Sequence, residues 1–92
     1  MSDLTYPRYL ELDQLLDLQH VRSDPAEHDE MLFIVIHQVY ELWFKLLLHE
    51  LEKVESDFLT GAQWGAHATL GRCRTLLKTL VGQLDILETK TP

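Results

Sequence analysis

The chain has 92 residues, 46% of them hydrophobic and 25% charged, which fits one small globular domain and excludes disordered and collagen-like chains. Its 8 Lys and Arg against 15 Asp and Glu give a net charge of -7. This argues against a nucleic-acid surface, because such surfaces need basic residues to replace counterions. The single cysteine, Cys73, excludes an internal disulfide and a cysteine-rich zinc site. No basic segment followed by an apolar one opens the sequence, so we expect no secretory signal and a cytoplasmic location.

The first predicted helix covers about residues 10–20. Leu12, Leu15 and Leu16 recur there at helical spacing, and the acidic and amide side chains between them would face water. An aromatic-rich lead-in, residues 6–9, precedes this helix and fits none of its faces. The periodicity alone gives that lead-in no role.

The second predicted helix, residues 25–58, has sequence signals at both ends. Asp24 is the expected N-cap, with Pro25 in the first turn and Glu27 as the capping-box partner. Gly61 is the expected stop signal at the other end.

Between Met31 and Leu48 this helix is apolar on nearly every side, yet four polar side chains interrupt it. A membrane-spanning helix would bury these groups at high cost, so we expect no membrane association. The interrupting residues are His37, Gln38, Glu41 and Lys45.

The third predicted helix covers residues 64–88. Its apolar residues step by three and four, which is typical of a narrow seam that packs against another helix. Cys73 lies on this seam and is expected to be a small buried hydrophobe rather than a nucleophile. The predicted seam consists of Leu70, Cys73, Leu77, Leu80, Leu84 and Leu87, and Leu76 and Val81 are expected to widen it.

Together these patterns predict an all-α fold, in which a short N-terminal helix is followed by two long antiparallel helices. A helix that is apolar on every face needs neighbours on every face, and 92 residues do not supply them. We therefore expect other chains, or sequence beyond Pro92, to cover the second helix. The chain is expected to be part of a larger helical assembly.

A stripe of polar residues on the second helix, His37, Glu41 and Lys45, leaves three interpretations open. The first is a hydrogen-bonded core histidine with intrahelical ion pairs. The second is a metal site, although the Glu-x-x-His pairs of a di-iron bundle are missing. In the third, His37 enters an aromatic-lined cavity beside Phe33, which suits a planar, apolar ligand with one polar hydrogen.

The run HDEMLFIVIHQ at residues 28–38, which continues as ELWFK at residues 41–45, resembles the tryptophan 2,3-dioxygenase family. The resemblance extends outward on both sides and covers essentially the whole chain, as the N-terminal third of that family. The outer matching segments are residues 4–6, 9–16, 87–89 and 91–92.

This resemblance implies a specific chemistry and assembly. Members of the family are all-helical, haem-dependent homotetramers. They add both atoms of dioxygen across the indole C2–C3 bond of L-tryptophan, giving N-formylkynurenine in the first step of the kynurenine pathway.

The resemblance also assigns roles to particular residues. His37 matches the catalytic distal histidine that hydrogen-bonds the indole N–H, and Phe33 matches the aromatic residue that packs against the substrate ring. Residues 1–10 match an intersubunit arm that closes the pocket of a neighbouring subunit. The implied substrate-binding set is Phe33, Ile34, Val35, Ile36, His37, Tyr6, Tyr9 and Leu10.

Other parts of the family's site are implied to lie elsewhere. The resemblance places the proximal haem histidine and the arginine that binds the substrate carboxylate beyond Pro92, so we expect no metal ligand from this chain. The pair Pro7-Arg8 departs from the family, which tends to carry glycine there. We expect these 92 residues alone to show no dioxygenase turnover.

Two functions stay open at this stage. One is a partial tryptophan dioxygenase, with haem, L-tryptophan and dioxygen bound by the whole enzyme. The alternative is a stand-alone helical oligomerisation or ligand-binding module derived from the same family.

Overall fold

In the computed structural model, which describes residues 4–90, the chain is all-α, as predicted. The two long helices form an antiparallel hairpin, and no strand occurs within the described range. Residues 1–3 of the predicted arm and the pair Thr91–Pro92 lie outside that range. The helices are α1 (Tyr6–Tyr9), α2 (Leu12–Leu15), α3 (Glu30–Leu59), α4 (Gln63–Gly82) and α5 (Leu84–Leu87).

The single first helix predicted over residues 10–20 is replaced by two helical turns, α1 and α2. Glu11 lies between them with φ at 53°, in the left-handed region, which interrupts the helical hydrogen bonding. The Thr5 side chain caps α1 by accepting the N–H of Arg8 at 3.4 Å. A helix of this length is marginal without a packing partner, and the backbones of α1 and α2 approach each other but none of the other three helices.

The start of α3 also differs from the prediction, because α3 begins at Glu30 rather than at residue 25. The predicted capping box of Asp24 and Glu27 is therefore wrong. The residue that precedes α3 is Asp29, and the Ser23 Oγ accepts the N–H of Glu27 at 3.0 Å within the loop before the helix rather than an N–H of α3. The residues between Ser23 and Glu30 form a loop that leads into the helix.

The Glu30 carboxylate reaches back and holds this loop. It accepts the Ser23 hydroxyl and the backbone N–H groups of Ser23 and Arg22, the last two at 2.9 and 2.8 Å. We call these bonds the Glu30 clasp. The Ser23 hydroxyl first, and then the two N–H groups, hold the pKa of Glu30 below its ordinary value of about 4.5. The clasp is therefore fully formed above that value and is lost only as the pH falls through the lowered pKa.

A tight turn at Gly61 joins α3 to α4, as predicted. Gly61 has φ at 82°, a conformation that glycine adopts without steric cost. The two helices then run antiparallel: the Tyr40 hydroxyl donates to the Leu80 carbonyl at 3.0 Å, and Glu50 pairs with Arg72 at 3.3 Å.

The packing seam on α4 has the predicted spacing but partly different members. Cys73 and Leu80 are buried as predicted, whereas Leu70, Leu77 and Leu84 are exposed. The residues that α4 buries are Ala66, Thr69, Cys73, Leu76 and Leu80, and those that α3 buries are Ile36, Glu50 and Val54.

Side-chain size explains the shift. Ala66, Thr69 and Cys73 are small, so the two helix backbones can approach closely along this line. The exposed leucines lie beside it and form a second apolar stripe on α4. Periodicity identified the spacing of the contacting residues. It does not show whether the small residues or the neighbouring leucines make the contact. The predicted third helix is also divided, since α4 ends at Gly82 and α5 is a separate turn.

Within the described residues, α4 packs against only one face of α3. This agrees with the prediction that most of its cover must come from elsewhere. Its exposed large apolar residues are Met31, Phe33, Val35, Leu42, Phe44, Leu48, Leu51, Phe58 and Leu59.

By length and composition α3 is also able to cross a membrane. Core helices of soluble proteins and signal sequences meet the same criterion, so this is weak evidence for a span. Glu41 and Lys45 lie in the middle of α3 and are exposed, and a bilayer interior disfavours such groups.

Two adjacent leucines test the seam. Leu76 is 8% exposed and Leu77 is 51% exposed. We expect Leu76→Ala to lower the free energy of unfolding by about 2–3 kcal/mol, because it leaves a cavity in the seam. The matched control Leu77→Ala is expected to cost less than about 1 kcal/mol. Urea unfolding followed by circular dichroism measures both, and equal losses would show that the seam is placed wrongly.

Candidate functional site

His37 and Phe33 lie one turn apart on α3 and contact each other. Their ring centroids are 4.2 Å apart with an interplanar angle of 34°. His37 Nδ1 lies 2.7 Å from the Phe33 carbonyl oxygen. Because a carbonyl oxygen only accepts hydrogen bonds, Nδ1 carries the proton, and in the neutral ring the lone pair is then on Nε2. Nε2 is thus the atom of His37 that is able to accept a hydrogen bond from a ligand.

His37 also lines a shallow apolar groove of about 320 Å³ between α3 and the end of α4, which we call the His37 groove. On its α3 side, the rings of Tyr40 and Phe44 stack with centroids 6.2 Å apart. Its other lining residues are Glu41, Leu80, Val81 and Leu84. An acceptor nitrogen beside aromatic rings and aliphatic side chains suits a flat apolar ligand with one N–H group.

The three interpretations of the polar stripe can now be compared. Within residues 4–90 no ion pair joins Glu41 to Lys45, so the intrahelical ion pair of the first interpretation is not formed, whereas the burial of His37 depends on what covers α3. The same range contains no group of three or more His, Cys, Asp or Glu side chains that could hold a metal ion. His37 does line a groove that contains aromatic rings, but Phe33 is not among its lining residues, so the aromatic-lined cavity beside Phe33 stays a prediction.

The arm residues predicted to close the pocket do not lie over this groove. Tyr6 and Tyr9 are 74% and 70% exposed, and Leu10 is 41% exposed. They belong to α1 and the turn after it, whose backbone approaches only α2. Within one chain, the structure thus separates the arm residues from Phe33 and His37.

The three residues between Phe33 and His37 lie on different sides of α3. Successive helical residues are about 100° apart, so one ligand is unable to contact all of them equally. Ile36 is 5% exposed and packs in the hairpin seam, while Val35 is 40% exposed and Ile34 lies between these extremes. This geometry places Ile36 in the core rather than at a ligand surface.

Residues 15–23, which we call the strap, cross α3 on the other side of His37. Leu15 and Leu18 of the strap line a second groove together with His37. The Gln38 amide donates to the Leu18 carbonyl at 3.0 Å and accepts from the Gln19 amide at 2.8 Å. Sequence analysis missed this role of Gln38, because one glutamine among polar interruptions gives no signal of its partners.

Lys90 is a second residue near the site that sequence analysis missed. Its Nζ lies 4.9 Å from the centroid of the Phe33 ring, a cation–π contact. Lys90 also lines a groove of about 530 Å³ beside Phe33, whose other walls are Ser23, Glu27, His28, Asp29 and Glu30. The separation of 57 residues in sequence between Phe33 and Lys90 explains why no local pattern indicated this contact.

The comparison with known proteins covers the whole chain, since the family model of tryptophan 2,3-dioxygenase matches residues 1–92. The chain belongs to the tryptophan 2,3-dioxygenase family. The tryptophan 2,3-dioxygenase of Herpetosiphon aurantiacus is 56% identical over 90 residues, which cover 97% of this chain and 34% of the relative. That of a Nocardioides species is 52% identical over 95 residues, covering 99% and 36%. That of Anaeromyxobacter sp. strain K is 55% identical over 89 residues, covering 97% and 33%.

The chain therefore spans about a third of the length of the curated tryptophan 2,3-dioxygenases that it matches. This confirms the family and the extent predicted from the residue 28–45 segment. It leaves the roles of individual residues in this member of the family as predictions.

The tautomer of His37 is directly measurable. We expect neutral His37 to carry its proton on Nδ1, because the Phe33 carbonyl accepts it, and we expect His49, for which the structure shows no hydrogen bond, to lack this preference. Nitrogen chemical shifts and long-range carbon–nitrogen couplings distinguish the two tautomers. A His37 ring protonated on Nε2 alone would contradict the geometry of the site.

Proposed function

We propose that the chain forms the distal wall of a haem-dependent tryptophan 2,3-dioxygenase site, at which dioxygen is added across the indole C2–C3 bond of L-tryptophan to give N-formylkynurenine. The observation that carries this proposal is the hydrogen bond from His37 Nδ1 to the Phe33 carbonyl. That bond leaves Nε2 able to accept a hydrogen bond, and His37 lines an aromatic and aliphatic groove. The indole ring has one N–H donor on a flat apolar body, so it fits this arrangement.

Each residue of the site has a distinct part in this proposal. His37 accepts the indole N–H and fixes the ring's orientation. Phe33, which is 45% exposed beside His37, packs against the ring face. Ile34 contributes apolar surface beside them, whereas Val35 lies on another side of α3. Ile36 supports the wall from the hairpin seam rather than by contact with substrate.

Haem fits this wall as a flat apolar group. α3 exposes Phe33 and Phe44, which lie on nearly the same side of the helix and suit contact with a macrocycle. The ring nitrogen of His37 that faces away from the Phe33 carbonyl is assigned to substrate, so the axial ligand is expected from outside the described residues. When bound, haem supplies the iron that activates dioxygen.

Oligomerisation follows from the uncovered surfaces. The exposed positions of Tyr6, Tyr9 and Leu10 support an arm that reaches the pocket of a second copy rather than its own. A homotetramer, the assembly of the family, would give every copy one arm and one pocket. We place this assembly in the cytoplasm, at the first step of the kynurenine pathway.

The indole hydrogen bond is tested by a substitution combined with an altered ligand. In the haem-loaded assembly, His37→Ala is expected to weaken L-tryptophan binding by about 1–3 kcal/mol, the usual effect of losing one buried hydrogen bond. N1-methyltryptophan lacks the donated hydrogen, so His37→Ala should not weaken its binding in the same way.

Calorimetric titration of both ligands into both proteins measures this difference. His49→Ala is the matched control, because His49 lies on α3 outside the His37 groove. An equal loss for the two ligands, or no loss for tryptophan, would remove His37 from the recognition of the indole N–H.

A second candidate is the helical oligomerisation or ligand-binding module. The exposed leucines at residues 70, 77 and 84 favour it, because they form an apolar stripe that suits another helix.

The two candidates differ in the response of the 92 residues to haem. If the chain is one wall of an enzyme site, we expect no saturable haem complex from these residues alone. Soret absorbance during a haem titration measures this. A stoichiometric complex would instead favour the stand-alone module.

A further inference from the structure

The carboxamide of Gln38 uses both its donor and its acceptor on the strap. Nε2 donates to the Leu18 carbonyl at 3.0 Å, and Oε1 accepts from Gln19 Nε2 at 2.8 Å. Gln19 Nε2 also donates to the Leu15 carbonyl at 2.9 Å, so the bonds continue into α2. One side chain of α3 thus holds residues 15–19, the segment that follows the arm in the chain.

The strap has a second attachment to α3 at the Glu30 clasp, which holds Arg22 and Ser23. Glu30 and Gln38 are eight residues apart, which is about 12 Å along a helix. Two attachments at this spacing fix both the position and the direction of the strap along α3. The backbones of α1 and α2 approach no other helix, so the direction in which the arm leaves depends on the attachment nearer to it, Gln38.

We propose that Gln38 is a positioning residue, which ties the arm to the helical turn that carries His37 and so directs Tyr6, Tyr9 and Leu10 toward the pocket of a second copy. This inference rests on the proposed function of the arm. Gln38 touches neither substrate nor haem in this account. It acts through Leu18 and Gln19.

The location of Gln38 beside His37 gives its hydrogen bonds to the strap a functional consequence. Gln38 directly follows His37, and the groove beneath the strap is lined by Leu15, Leu18, His37 and Gln38 together. The base of the arm and the acceptor for the indole N–H therefore belong to the same turn of α3. In an oligomer, the α3 turn that binds tryptophan in one copy therefore also positions the arm that closes the tryptophan pocket of another copy.

Gln38→Leu tests the tie, because leucine has a similar size and makes no hydrogen bond. We expect amide hydrogen exchange of residues 12–20 to become about tenfold faster, since two hydrogen bonds are lost. In the haem-loaded assembly, tryptophan should dissociate about tenfold faster while its binding stoichiometry is unchanged. A general loss of folding would lower the stoichiometry instead.

Two further variants sharpen this result. Gln63→Leu is the matched control, because Gln63 is exposed at the start of α4 and makes no side-chain hydrogen bond in the structure; it should change neither rate. Gln38→Glu keeps an acceptor for Gln19 but has no donor for the Leu18 carbonyl. We expect its effects to fall between those of the unsubstituted protein and Gln38→Leu.

Mixed assemblies test the delivery of the arm to a second copy. A His37→Ala copy has a correctly tied arm and no indole acceptor, whereas a Gln38→Leu copy has the acceptor and a loose arm. In assemblies formed from both, some intact pockets receive a tied arm, so a phase of slow tryptophan dissociation should return. Absence of that phase would contradict delivery between copies.

The remaining outcomes separate the two proposals. If the unsubstituted assembly binds no tryptophan, the proposed function is wrong and this inference falls with it. If it binds tryptophan but Gln38→Leu changes neither exchange nor dissociation, only the role of Gln38 is wrong. If amide exchange becomes faster but tryptophan dissociation is unchanged, Gln38 holds the strap only and does not position the arm. This outcome would also overturn the inference.

Discussion

The close contact of α3 with α4 along one narrow seam is the constraint on which the rest of the molecule depends. The seam uses Ala66, Thr69 and Cys73, whose small size lets the helices lie near each other. It buries one face of α3 and turns the others outward. The exposed face beside the seam carries Phe33 and His37, so the packing of the hairpin determines which way the candidate site opens.

The site is built from short-range bonds on a long, rigid support. The Phe33 carbonyl selects the tautomer of His37 from one turn away, which needs no partner from another element. The opposite wall of the groove comes from α4, where the Leu80 carbonyl accepts the Tyr40 hydroxyl. The hydrogen bond within α3 and the contact between α3 and α4 therefore preorganise the His37 acceptor before any ligand binds.

Sequence reasoning predicted the helical class, the Gly61 turn and the spacing of the α4 seam, because each depends on local periodicity or on the conformational freedom of glycine. It misplaced the start of α3, because the helix-start signals at residues 24–27 lie in the loop that the Glu30 carboxylate holds, and no local pattern shows that the helix begins only at Glu30. It joined α1 to α2, because periodicity does not report that Glu11 adopts a left-handed conformation.

The residues of the candidate site also divide into those that local helical spacing places and those that contacts between distant segments place. His37 and Phe33 are brought together because they are one helical turn apart, and Ile36 is not at the surface because its direction on α3 is set by the seam. The contacts of Gln38 and Lys90 depend on chain segments that are distant in sequence. No single-sequence pattern encodes those distances.

The ion pair of Glu50 with Arg72 lies away from the site, yet it bears on the site's geometry. Glu50 is only 7% exposed, and its sole cationic partner among the described residues is Arg72. A slip of α4 by seven residues, about 10 Å, would bring the large Leu76 and Leu80 to the positions of the small Thr69 and Cys73. Such a slip would leave the Glu50 carboxylate buried without its countercharge, which is strongly unfavourable. The pair thus fixes the register of the hairpin, and with it the side chains of α4 that stand opposite His37.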